Sequence, residues 1–172
     1  TPAAAMARPR LTDLLAGANG PAVVSIVAPA GYGKTTLLRQ WADQLSNVGY
    51  VALEEGDNDP VALISGIATA LGPVEPLDPA LLRLLASPGR SLESTLLPGL
   101  VEAIWARRTP TVLMLDDAHH LDQPAPLDVI AFLMLRLPPT LRLAVAARRM
   151  LPLPFARLRP TGHLLEVGPQ EL

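Results

Sequence analysis

An α/β layer sandwich, with helices on both faces of a mainly parallel five-stranded sheet, is the fold this sequence predicts. Three observations lead there. Five short apolar runs recur along 172 residues. Most are continuously apolar, as expected of strands covered on both faces, and segments with helical periodicity fill the gaps between them.

In chain order, the first strand is expected at 22–27, where Ala-Val-Val-Ser-Ile-Val is rich in β-branched residues. A helix over 35–45 follows, then a strand at 50–53. Asp59-Pro60 has the form of a helix start and opens a helix over 60–71. Residues 72–90 carry four prolines and read as a loop with a short helix at 79–85. A further helix over 92–107 contains Pro98-Gly99, which should kink or split it because proline lacks the amide donor. Strands at 111–115, 141–147 and 163–167, with a helix over 126–137, complete the alternation.

Composition narrows the function. Hydrophobic residues make up 49% of the chain, enough for a substantial core. Net charge is −2 with basic residues scattered, and aromatics are 3%, so neither a nucleic-acid footprint nor a base-stacking platform is expected. The absence of cysteine excludes disulfides and thiolate chemistry and fits a reducing cytoplasmic compartment. Arg136 and Arg142 interrupt the most apolar stretch, leaving no membrane span. Position 1 is Thr rather than Met, so the chain is expected to be a piece of a longer protein.

The chain has thirteen arginines and one lysine, Lys34. It sits in Ala28-Pro29-Ala30-Gly31-Tyr32-Gly33-Lys34-Thr35-Thr36, between the first strand and its helix. Gly-Lys-Thr in that context is a phosphate-loop signature. The backbone amides from Ala30 to Thr36 cradle phosphates, a compact ammonium reaches the β and γ groups, and the Thr35 hydroxyl binds Mg²⁺. Thr36 adds a hydrogen bond to a phosphate. Ala28 stands where the motif usually begins with glycine. With this loop, the layer sandwich becomes a three-layer P-loop NTPase domain.

Leu115-Asp116-Asp117 ends the third strand about 80 residues later. Two acids at the end of a buried strand need a positive partner, which Mg²⁺ on a triphosphate supplies. Asp116 is then the metal-side carboxylate, and Asp117 orients or deprotonates the attacking water. His119, His120 and Asp122 follow, but adjacent histidines diverge and no second ligand group accompanies them, so His119 is expected to pack or hydrogen-bond beneath the Asp117 loop, with one of the two histidines a candidate sensor of the γ-phosphate. Arg148, after the fourth strand, is placed to sense the γ-phosphate. Arg149 and the acidic turn Glu54, Glu55, Asp57, Asp59 are expected in solvent, with the γ-phosphate edge the alternative place for the turn, and Arg157 and Arg159 face either the nucleotide or a neighbouring domain.

These stretches, with Arg8-Pro9-Arg10-Leu11, Trp41, Gly56-Asp57-Asn58-Asp59-Pro60 and Pro152-Leu153-Pro154-Phe155-Ala156-Arg157-Leu158-Arg159, resemble the nucleotide-binding domain of the large ATP-dependent LuxR-type transcriptional regulators. These are relatives of the bacterial maltose regulator in the STAND class of P-loop NTPases. The family's loop is similar at Ala28. Ala118 replaces its usual aromatic, and the second strand lacks its usual tryptophan. The resemblance implies an ATP-binding switch, and the first reading built on it is a Mg-ATP/ADP switch with slow hydrolysis and nucleotide-dependent self-association. It places Arg8 and Arg10 near the adenine, and a sensor region and DNA-binding helix-turn-helix beyond residue 172. A small-molecule phosphotransferase and a binding-only nucleotide module are the rival readings; 72–90 is poor in the arginine a phosphotransferase lid would need.

Overall fold

The computed structural model describes residues 9–17 and 19–172. Five strands, β1 (Val23–Val27), β2 (Val48–Ala52), β3 (Thr111–Asp116), β4 (Leu141–Ala147) and β5 (Leu164–Val167), form one sheet in the order β2-β3-β4-β1-β5. All four pairings are parallel. The sheet is thus wholly parallel, and its carboxyl ends gather on one edge, where ligands bind in such folds.

Alternation along β4 shows how the layers divide. Leu141, Leu143, Val145 and Ala147 face a core shared with α3 (Pro60–Leu71), α5 (Leu97–Trp105) and α6 (Pro124–Met134). Ala144 and Ala146 face the opposite core, with Leu15 of α1 (Pro9–Ala16) and Leu37, Leu38 and Trp41 of α2 (Lys34–Ala42). Both faces of the central strands are therefore dry, which is why their sequences are apolar throughout. No helix among the described residues is long and apolar enough to cross a membrane.

Several boundaries differ from the sequence expectation. β2 begins two residues early, taking in Gly49: a Cβ there would meet the Ala70 carbonyl at 3.2 Å and Leu71 at 3.1 Å, so this glycine marks close approach of α3, not a break. The 92–107 run divides as expected. Leu96 and Leu97 donate to Ser91 and Leu92, five residues back, making a wide π-helical turn before α5, and Pro98 then lies in the first turn, where its missing amide costs little. Helices α1 and α7 (Phe155–Leu158) were not expected, being only eight and four residues long; α4 (Pro79–Ala86) matches the expected short helix.

One charged residue of β4 faces a helical layer. Arg142 donates from Nη1 to the Leu15 carbonyl (2.8 Å) and from Nε to Pro21 (3.0 Å), with its guanidinium carbon 5.3 Å from the Trp41 ring centre. Gly20 makes room for it, since a Cβ there would lie 2.3 Å from Nη2. The side chain fastens the end of α1 to the sheet.

Candidate functional site

The loop joining β1 to α2 turns on two glycines with positive φ, Gly31 (85°) and Gly33 (87°), a conformation that side chains with a Cβ avoid. Helix α2 starts directly at Lys34, so the amides of Lys34, Thr35 and Thr36 have no preceding turn to bond and point out of the helix end. Ala30, Gly31, Gly33, Lys34, Thr35 and Thr36 line one side of a cleft of about 420 Å³, and Asp117 and Arg148 line the other. Tyr32 is at the loop tip, 47% exposed, and does not line the cleft.

Strand order explains this convergence. β4 lies between β1 and β3, with Val27 paired to Ala147 and Leu115 to Val145, so Arg148 emerges between the phosphate loop and the acidic strand end. Lys34 is 6% exposed, and its ammonium donates to the Ala28 and Pro29 carbonyls at 2.6 and 2.9 Å. Burial lowers its pKa below the ordinary lysine value, and Arg148 lowers it further, while Asp117 and Asp116 oppose both effects. Among the described residues Arg148 forms no ion pair.

Asp116 is 2% exposed and held from three directions. Its Oδ2 accepts from the Thr35 hydroxyl (2.7 Å) and the Tyr50 hydroxyl (2.6 Å), and its Oδ1 accepts from the Asp117 amide (2.9 Å). Thr35 and Asp116, both expected at a metal, are thus brought into contact. Their oxygens are hard donors of the kind Mg²⁺ prefers, so the residues present fit that ion. Asp117 has φ 55°, the one positive φ among the described non-glycine residues. Such a conformation costs about 1 kcal/mol or more and is characteristic of functional turns; here it directs the chain into a short 3₁₀ turn over Ala118–His120 and leaves Asp117 facing the cleft.

Tyr50 was missed by sequence reasoning. Ala52 pairs with Asp116, so Tyr50 lies one pleat back on the same side of β2 and reaches forward to the carboxylate. Burial, then the Asp116 hydrogen bond, hold its hydroxyl well above a phenol's ordinary range, keeping it a donor. A lone tyrosine in an apolar strand was the available signal. Both ring nitrogens of His119 are buried without a hydrogen-bond partner, so the expected hydrogen bond beneath the Asp117 loop is not made. Burial, then His120 and Arg148, lower its pKa below the ordinary imidazole value. No metal-binding group of three or more histidines and acids occurs among the described residues. Arg149 is exposed as expected, yet donates to the His119 carbonyl at 3.2 Å. Arg159 pairs with Glu166 of β5 at 2.7 Å and does not line the cleft. Arg8 and the Arg10 side chain lie outside the described residues.

A family model described as an AAA domain matches residues 18–147. The chain belongs to the AAA domain family. This AAA domain is 35% identical over 168 residues to the HTH-type transcriptional regulator MalT of Klebsiella pneumoniae, covering 96% of the chain and 18% of that protein. MalT of Cronobacter sakazakii matches to the same extent. The chain therefore spans about a fifth of the length of these relatives, and the resemblance to maltose-regulator-like proteins read from the motifs is borne out. Among solved structures, Orc1 of Aeropyrum pernix, determined in complex with DNA, superposes with TM-score 0.63 at 20% identity over 94% of this chain and 43% of its own. Cdc6p of Pyrobaculum aerophilum gives 0.58 at 20% identity, over 96% and 46%. These two likenesses concern the fold of the AAA domain.

Proposed function

We propose that this AAA domain is a Mg-ATP-binding switch with slow hydrolysis, part of a cytoplasmic LuxR-type transcriptional regulator. In that protein ATP stabilises an active, self-associating form and ADP a resting form. The observation that carries the reading is the single cleft in which the glycine loop, Lys34, Asp117 and Arg148 converge at the carboxyl ends of β1, β3 and β4.

In this reading the α2 amides and Lys34 bind the phosphates. The ammonium exchanges the Ala28 and Pro29 carbonyls for phosphate oxygens, a trade favoured by charge. Thr35 and Asp116 would hold Mg²⁺, which neutralises phosphate charge when bound. Asp117 orients water at the γ-phosphate. Arg148, on the opposite wall, contacts the γ-phosphate and distinguishes ATP from ADP. The acid Asp117 on the cleft wall supports catalysis over simple binding, since holding phosphates requires no water-positioning carboxylate. By the resemblance, Arg8 and Arg10 lie on the adenine side, and DNA is bound through a helix-turn-helix domain elsewhere in the protein, as the name of MalT suggests for that relative.

Arg148→Ala tests the division of labour. One charge-assisted contact at an exposed site contributes about 1.4 kcal/mol, so affinity for a non-hydrolysable ATP analogue should fall about tenfold. Affinity for ADP should change less than about twofold. Equal losses for the two nucleotides in a calorimetric titration would remove Arg148 as the discriminating residue.

A further inference from the structure

Asn58 lies outside the cleft, yet its side chain makes four hydrogen bonds across two loops. Its Nδ2 donates to the Glu55 carbonyl (3.0 Å) in its own turn and to the His120 carbonyl (2.8 Å) after β3. Its Oδ1 accepts from the amides of Asp122 (3.0 Å) and Gln123 (3.2 Å). Only one orientation of the amide satisfies this set, because a flipped group would set NH₂ against two amide donors and oxygen against two carbonyls. A carboxylate could keep the acceptor half alone.

The segment so held begins at Asp117. That residue is in a left-handed conformation, and its carbonyl accepts from His120, the residue whose own carbonyl Asn58 grips. Ala118 and Leu121 anchor the turn in the core, and Arg149 holds the His119 carbonyl from the β4 side. The turn is therefore gripped from both flanks, by Asn58 after β2 and by the neighbour of Arg148 after β4. All four Asn58 bonds are at the surface, where water can replace them, so their loss costs little in overall stability. What the clamp sets is the geometry of the turn, and with it the direction of the Asp117 carboxylate.

We infer that Asn58 is a positioning residue for Asp117, clamping the turn after β3 so that the Asp117 carboxylate is held toward the γ-phosphate side of the cleft. The inference rests on the reading of Asp117 as the water-orienting acid. In the intact protein, Asn58→Ala should slow single-turnover ATP hydrolysis about ten- to a hundredfold, the scale of a small misplacement of a reacting group. The dissociation constant for a fluorescent ATP analogue should stay within about twofold. Hydrogen–deuterium exchange, which needs no turnover, should accelerate at the Asp122 and Gln123 amides and stay unchanged in β1. Asn58→Asp, which keeps the acceptor but sets charge against two carbonyls, should also be slow, and it carries the same comparison should the alanine variant fold poorly.

Asp117→Asn separates the two claims. If that variant is slow while Asn58→Ala matches the parent, the positioning role alone fails. If Asp117→Asn turns over at the parental rate, the reading of Asp117 fails and the positioning role fails with it. Unchanged exchange at 122 and 123, or a loss of nucleotide affinity equal to the loss of rate, would also overturn the inference.

Discussion

Lys34→Ala should abolish measurable nucleotide binding at micromolar concentrations. The ammonium is the one lysine of the chain, it is 6% exposed, and it stands at the first residue of α2 within the cleft. A charge-assisted hydrogen bond to phosphate contributes about 1.5–3 kcal/mol, and Lys34 can offer two. Affinity for a fluorescent ATP analogue should therefore fall by about a hundredfold or more. The fold should tolerate the change. In the structure Lys34 bonds only the Ala28 and Pro29 carbonyls, while the two glycines and the buried residues of α2 shape the loop. Parental affinity in the variant would mean that phosphates are bound elsewhere.

Asp117→Asn should leave nucleotide binding nearly intact and slow single-turnover hydrolysis by about 10²–10⁴-fold, the usual contribution of a general base. Asparagine is close in size and tolerates the left-handed backbone that Asp117 occupies, so the turn over Ala118–His120 should survive. Removing one negative charge that faces Lys34 and Arg148 should, if anything, strengthen the hold on phosphate. Rate and affinity thus move separately in this variant. A variant as fast as the parent would leave the strained turn without a catalytic purpose.

The parts of this molecule that were legible in sequence are those whose physics is local. Gly31, Gly33 and the run after Lys34 announce a strand-to-helix turn because only glycine sits easily at those dihedral angles. The continuously apolar β3 and β4 announce strands covered on both faces. Arg148 lines the same cleft as the glycine loop because the carboxyl ends of a parallel sheet share one edge.

What escaped depends on strand order. Tyr50 reaches Asp116 across 66 positions, and Asn58 reaches His120 across 62, contacts that exist only because β2 and β3 are neighbours in the sheet. Arg142 looked like an interruption of an apolar stretch. Its role as a fastener for α1 requires Gly20 and Trp41 beside it, which no window of sequence brings together. Gly49 falls outside the expected strand because the close approach of α3 that explains it comes from Ala70 and Leu71, far along the chain.

The claim that the cleft at the carboxyl ends of the strands is the nucleotide site has a direct rival in the molecule itself. A concavity of about 390 Å³ lies at the opposite ends of the strands, bordered by Asn47, Pro110 and Thr140. Hydrogen–deuterium exchange of the intact protein with and without a Mg-bound, non-hydrolysable ATP analogue distinguishes the two. Slowed exchange at the Gly31–Thr36 amides, at Asp117 and at Arg148, with no change around Asn47 and Thr140, is the expected result. Protection at the opposite strand ends, with the glycine loop exchanging as freely as before, would contradict it.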